Sequence, residues 1–510
     1  MKKILVLVIV LFSLQSCSKK LDLVNPNAPN PGEFFKTDAD ARSAVNSVYN
    51  SLYYDGQYHR WLILGENFRS DEMYASGPWD QMTTIGSFTQ ATIWENVGDP
   101  YWHAYMGIYR ANQVIEGLTD NTEVSESAKD QALGQIYFLR GLYYFNLLKI
   151  YRNIPLITAV PKSTAQYTQP LATPEAIWQQ IESDWKKAAD LLPVNWPSGE
   201  AGRATKGAAI AFLGKAYLWE KKYSEAKAQF EQIIDKSPYT YDLMPNYGDN
   251  FNETAAANNK ESIFEIQWNT KVGGAQPGAQ NGDPNAAALL SSEWAMIISP
   301  VGFGYGDGKA RPWLVDEFLK EKTVTNEEDP RLNLTLLYKR PGEKVYGLDW
   351  ATGITTADQN SVYIKKYTLW RTKSGYNAAL DAKNAMPYYV MRFADVLLMY
   401  AETLNELGET TAAYAPINRV RGRAHLADLT TGLTQKAMRE QIAHERVTEF
   451  CGEGVRFDDL RRWGWLGDPI KLAQLKQHDP EFKTYLPGRE YYPQPQNLLN
   501  TAGYPQNTGW

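Results

Sequence analysis

Apolar residues recur at helical spacing through most of the long runs of this chain. Ala41, Ala44, Val45, Val48 and Leu52 fall on one face of the stretch from Thr37 to Leu52, so the spacing predicts an amphipathic helix there. The same rule predicts helices from Tyr101 (Trp102, Tyr105, Ile108, Ile115), from Ser127 to Tyr151 (Leu133, Ile136, Leu139, Tyr143, Leu147) and from Arg392 to Gly408 (Phe393, Val396, Leu397, Tyr400, Leu404). Thr173-Pro174-Glu175 reads as an N-cap followed by proline in the first turn, opening a helix that runs to Leu192. Thr434 caps another, which carries Met438, Ile442 and Phe450.

Between Thr205 and Pro238 the pattern becomes more specific. Leu213-Gly214-Lys215-Ala216-Tyr217, then Ala226, Phe230 and Pro238, match the tetratricopeptide repeat, in which small residues let two antiparallel helices approach and aromatics fill the gap between them. A weaker copy places Ala401, Leu404, Ala413 and Ile417 at the equivalent positions. Four helical pairs follow, at about 37–118, 127–192, 205–238 and 392–425, and stacked pairs of this kind form a superhelix with a continuous apolar seam.

Two long segments interrupt the frame. Residues 53–100 and 239–387 lose helical periodicity and collect Gly, Asn, Asp and Trp, so both are expected to be loop-rich insertions, and long insertions in compact proteins are usually functional. Glu261–Trp268, Thr335–Tyr338 and Val362–Tyr367 alternate and read as short strands. The chain after Gly464 reads as loop-rich. The expected fold is mainly α: a tetratricopeptide-like hairpin superhelix of about four pairs with long loop-rich insertions and a few short strands, in one domain over 37–510.

Composition narrows the function. The net charge of −6 disfavours a polyanion, because phosphate neutralisation needs a basic patch, so nucleic acid is not expected as a partner. Only two cysteines occur, Cys17 and Cys451, too few for a disulfide framework or a zinc ligand set, and the five histidines show no paired spacing. No catalytic site and no cofactor are expected, although the Asp249–Asn252 loop leaves room for structural calcium. Glu445, Arg446, Glu449, Glu453, Arg456, Asp458, Asp459, Arg461 and Arg462 form a dense charge cluster. A glycosidase would use two such carboxylates as acid and base, but the arginines close by would lower their pKa values, which favours salt-bridged packing.

Lys2 and Lys3 precede an apolar run from Ile4 to Leu14, and LQSC ends it. The run is too short to span a bilayer and resembles a bacterial lipoprotein signal: residues 1–16 would be removed, Cys17 acylated, and 17–36 left as a lipidated tether.

That leader, the broken tetratricopeptide array, MRFADVLLMYAETLNELG, INRVRGRA and IAHERVTEFCGEGVRFDDLRRWG resemble, in order and spacing, the SusD/RagB family of outer-membrane nutrient-binding lipoproteins. The resemblance covers essentially the whole chain. It implies a SusD-like fold and a cell-surface glycan-binding lipoprotein, anchored in the outer membrane through Cys17, that serves a SusC-like TonB-dependent transporter without catalysis. An oligopeptide ligand, a secreted glycoside hydrolase and a repeat scaffold that binds only protein are the alternatives.

A sugar offers an apolar C–H face to an aromatic ring and hydroxyls to Asp, Asn and Arg. Arg69, Asp71, Trp79, Trp94 and Asn96 in the first insertion, and Trp294, Tyr305 and Asp307 in the second, are the residues that fit, and the two insertions are expected to meet on one face. Trp268 ends an apolar strand and reads as core. Trp102, Trp178, Trp185 and Trp219 lie on helices and read as structural.

Overall fold

Local signals set the helix boundaries. In the computed structural model of the chain, which describes residues 34–269, 292–370 and 384–510, Thr37 and Asp40 close a capping box at the start of α1 (Asp38–Asn50). The frame continues with α2 (Trp61–Phe68), α3 (Glu95–Leu118), α4 (Glu126–Tyr151), α5 (Pro174–Leu191), α6 (Lys206–Trp219) and α7 (Tyr223–Ile233). It resumes with α8 (Phe393–Glu406), α9 (Thr410–Arg423), α10 (Gln435–Phe450), α11 (Arg456–Arg462) and α12 (Pro469–His478). Thr173 and Thr434 accept from the backbone N–H groups of Ala176 and Ala437, as N-caps do. The leader with Cys17 and the Gly273–Asn285 run lie outside the described residues.

Each helix of the repeat array packs on the next: α1 on α3 and α4, then α3 on α4, α4 on α5, α5 on α6, α6 on α7, α7 on α8 and α8 on α9. The chain is thus mainly helical. Strands are short and paired in twos: β1 (Met73–Ala75) with β3 (Gly308–Ala310), and β2 (Ser262–Ile266) with β4 (Tyr388–Arg392), both antiparallel. At the tetratricopeptide glycine a Cβ would come within 2.6 Å of the Phe230 ring, so Gly214 is what lets α6 and α7 close on one another. Gly214→Val should cost about 1 to 3 kcal/mol through overpacking, read as a lower urea midpoint.

Two expectations about loops are overturned. Residues 53–100 contain α2 and a second helix, Asp80–Gly86, and α3 begins at Glu95 with Pro100 inside it rather than at Tyr101. The reason is burial on every side. Trp61, Leu62, Ile63 and Leu64 are all within 1% of fully buried, so α2 has no polar face and shows no amphipathic period. Beyond Gly464, α12 and the helix Gln496–Thr501 replace the expected loop. Asp468 caps α12 ahead of Pro469, a start signal already legible in the sequence.

The charge cluster lies inside the protein, not on a solvated face. Arg392, 1% exposed, reaches Glu261, Glu449 (3.0 Å) and Glu453 (2.8 Å), and Arg331 binds Asp329 (2.7 Å), Glu445 (2.6 Å) and Glu449 (3.2 Å). Arg446 joins Asp395 on α8 (2.8 Å) to Asp459 on α11 (2.6 Å). Burial alone would raise the Glu449 carboxyl, but Arg423, Arg392 and Arg331 hold it far below the carboxylate range. Such a group cannot serve as a proton donor. No described helix is long and apolar enough to cross a membrane.

Candidate glycan-binding face

The β1–β3 ladder brings the two insertions together. Its register sets Met73 opposite Ala310 and Ala75 opposite Gly308, so the residues that follow β1 face those that precede β3. The Ser76 backbone N–H donates to the Asp307 carbonyl (2.7 Å), and the Ser76 hydroxyl donates to the Gly306 carbonyl (3.1 Å). A Cβ on residue 77 would meet Asp307 Oδ1 at 2.2 Å, so glycine there permits the carboxylate to rest against the neighbouring loop. Two segments more than 200 residues apart become one surface.

Trp79, Tyr305 and Asp307 sit on that surface. Tyr305 exposes 39% of its area, while its loop is anchored beneath by Tyr305 N–H to the Met296 carbonyl (2.7 Å) and Gly306 N–H to the Ser299 carbonyl (2.9 Å). Partial burial, with the Glu293 and Asp307 carboxylates nearby, raises the Tyr305 phenol, so it stays neutral and able to donate. Trp79 is half-buried, its ring 5.0 Å from that of Trp61, and the Arg60 guanidinium lies 5.1 Å from its centroid. The ring therefore rests on a fixed support. Tyr74 on β1, whose register partner is Lys309, carries the Arg311 guanidinium 3.9 Å above its ring. Sequence reasoning missed Tyr74, although Met73-Tyr74-Ala75 alternates buried, half-buried, buried as an edge strand does.

Beneath Trp79 lies a buried ionic group. Asp55 pairs with Arg60 and with His59 Nδ1 (2.7 Å), and Glu293 Oε2 lies 3.5 Å from His59 Nδ1 and 3.9 Å from Arg60 Nε. Asp55, His59 and Glu293 are the one set among the described residues whose ligand atoms converge as a metal site requires. Arg60 already supplies the positive charge there, so the set works as an ion-paired foundation for the face. In the Asp249–Asn252 loop the side chains take protein partners: Asn250 donates to Glu261 (2.9 Å), and Asn252 accepts from Thr254 (2.8 Å).

Four of the residues expected to bind ligand are interior instead. Arg69 is 3% exposed, boxed by the rings of Phe457 (4.5 Å), Tyr492 (4.8 Å) and Phe88 (5.3 Å), and donates to the Arg489 carbonyl. Asp71 is fully buried, held by Arg456 through Nε (2.8 Å) and Nη2 (3.1 Å) and by His478 Nδ1 (2.8 Å). Asn96 is buried and donates to the Gln81 carbonyl (2.6 Å), and Trp294 packs in the core beside Phe68. In the sequence they stand in an apparent loop, whereas in the structure burial of α2 and of the helix Glu293–Ile298 draws their neighbours inward. Trp94 stands half-buried at the N-cap of α3, outside the contacts that join the two loops. Trp268 and Trp185 are core, as read, whereas Trp102 exposes 36% of its surface on α3.

Comparison with known proteins agrees with this architecture. A family profile described as the SusD family matches residues 260–510, and one described as starch-binding associating with outer membrane matches residues 21–218. SusD-like protein P25 of Formosa agariphila is 26% identical over 519 residues, covering 94% of this chain and 93% of that protein. The crystal structure of a SusD superfamily protein from Bacteroides vulgatus superposes with a TM-score of 0.82 at 28% identity, covering 94% of this chain and 100% of that one. A laminarin-binding SusD-like protein shares the fold, with a TM-score of 0.75 at 24% identity over 93% of this chain and 100% of its own.

Proposed function

We propose that this chain, which belongs to the SusD/RagB family, captures an oligosaccharide or polysaccharide at the cell surface without catalysis and hands it to a SusC-like TonB-dependent transporter. Lipidation of Cys17 would hold it to the outer membrane, and residues 17–36 would be the tether. The observation that supports the binding role is the loop pair at the β1–β3 ladder, which joins the segment carrying Trp79 to the segment carrying Tyr305 and Asp307.

Two rings at one face give a stacking contribution of about 0.5 to 1.5 kcal/mol each beyond burial, so a single site binds weakly and retention depends on a ligand with many repeats. Asp307 accepts from hydroxyls, the Tyr305 phenol donates, and the rings cover the C–H faces. Affinity electrophoresis through gels containing laminarin, starch, xylan or mannan tests this. The wild type should be retarded by at least one polymer, and Trp79→Ala/Tyr305→Ala should be retarded markedly less. Unchanged retardation of the double variant would move the site elsewhere. Retardation by no polymer, together with binding of oligopeptides, would replace the glycan with a peptide.

A further inference from the structure

A cleft runs along α10 and reaches the ends of α6, α7 and α8. One part of it, 610 Å³ in volume, is lined by Trp313, Gln441, His444, Arg456, Trp465 and His478, and a second, of 300 Å³, by Tyr223, Glu402, Arg439, Trp463 and Trp465. Glu440, Ala443 and Trp465 line both, so the two parts are continuous. Four aromatic residues therefore mark its course.

The rings are held in place. Trp313 lies flat on His478, with centroids 4.0 Å apart and planes at 14°, and its indole N–H donates to the Asp71 carbonyl (2.6 Å). The Trp463 indole N–H donates to Glu402 Oε1 (3.0 Å), and its ring is 5.6 Å from that of Trp465. All three tryptophans are half-buried, which leaves part of each ring open to the cleft.

Two donors in the lining have no acceptor. Arg456 is 4% exposed, and while its Nε and Nη2 hold Asp71, its Nη1 has no hydrogen-bond partner among the described residues, nor has Gln441 Nε2. A buried donor left unpaired is costly, and an arriving acceptor recovers that cost. Most charges in the lining are already paired: Arg456 with Asp71, Arg439 with Glu406, Lys471 with Glu440, and His444 with Glu317 and Glu321, while Lys221 has no ion pair among the described residues. Burial would lower the His444 pKa, but its bonds to Glu317 and Glu321 raise it to about 9, so that pairing persists at neutral pH. Lys471 covers one face of Trp465 from 4.1 Å, but its partner Glu440 is half-exposed, and such a pair yields readily to a ligand.

We propose that this cleft is a second saccharide subsite, for a short stretch of neutral glycan whose ring faces stack on Trp313 and Trp465 and whose oxygens accept from Gln441 Nε2 and Arg456 Nη1. The proposal rests on the glycan-binding function set out above. It adds a location that the loop pair does not include, although β3 links them: Asp307 enters the strand and Trp313 follows it.

Isothermal titration of the purified protein with laminarihexaose, maltohexaose, xylohexaose and mannohexaose separates the two sites. With a hexaose that binds, Trp79→Ala/Tyr305→Ala should keep a residual binding event. Adding Trp465→Ala should weaken that event roughly tenfold, the loss of one stacking ring. Gln441→Leu, at a half-buried position that leaves the packing intact, should weaken it several-fold, so a misfolded Trp465 variant does not decide the matter. If Trp79→Ala/Tyr305→Ala abolishes all binding while Trp465→Ala and Gln441→Leu bind as wild type, the cleft is no subsite and the loop pair stands alone. If the wild type binds no hexaose, both proposals fall. If Trp465→Ala and Gln441→Leu keep glycan binding but lose co-purification of the transporter, the cleft docks protein and the saccharide proposal is overturned.

Discussion

Arg392→Met is expected to lower stability by about 3 to 5 kcal/mol, because removing this cation leaves Glu261, Glu449 and Glu453 buried and each short of one partner. The whole native state is stabilised by roughly 5 to 15 kcal/mol, so little folded protein should accumulate. Among the described residues, Arg392 alone bridges all three of Glu261 before β2, Glu449 at the end of α10 and Glu453 in the turn beyond it. Without it three carboxylates lose a shared cation, and Glu449 keeps only Arg331 and Arg423. Arg446→Met should behave similarly through Asp395 and Asp459, whereas Lys320→Ala, at a surface pair, should stay within about 0.5 kcal/mol of wild type. Urea unfolding followed by tryptophan fluorescence measures all three. An Arg446 variant with a wild-type midpoint that fails to bind glycan would give the network a direct binding role.

Stability should fall as pH rises from about 5 to about 8, which is the second large effect. Burial pushes the Glu72 carboxyl up to about 8, with Asp71 adding to it and Arg456 only partly opposing it, and burial and Asp479 push Glu481 to about 8 as well. Between the unfolded value near 4.5 and the folded value near 8, the native state binds more protons than the unfolded chain, so stability is lost with rising pH. For Glu72 alone the change is on the order of 3 kcal/mol. At the acid end the sign reverses. Asp71, Asp395 and Glu449 are held below the usual carboxylate range by their basic partners against the effect of burial, so their contribution is complete above about pH 4 and fades below it. Thermal unfolding between about pH 3 and pH 9 should peak near pH 5, and Glu72→Gln, which stays neutral and keeps an acceptor for the Gly452 N–H, should flatten the alkaline limb. A wild-type curve that is level or rising from pH 5 to pH 8 would count against the buried neutral Glu72.

Much of the frame was legible in the sequence because its signals are local. An apolar face at helical spacing, Thr37, Thr173 and Thr434 at N-caps, and the small residues of the Leu213–Tyr217 run each act within one or two turns. Helix α2 escaped detection for the same reason: a helix buried all round carries no amphipathic signal. For the candidate site, the pattern picked out aromatic and polar residues in apparent loops. Trp79, Tyr305 and Asp307 keep exposed area on segments that the β1–β3 ladder joins, while Arg69, Asp71, Asn96 and Trp294 lie buried.

By itself, then, the sequence determined the amphipathic helices of the frame, their order and the signatures of the family, since those depend on propensity, capping and periodicity over short stretches. Tertiary structure alone decided which side chains remain available. Asp71 is closed off by Arg456, 385 residues away, Arg392 finds Glu261 across 131 residues, and Ser76 meets Gly306 across 230. Those contacts form when the stacked array brings distant segments to one place, and burial in such a place, not residue type, separates a ligand contact from a structural one.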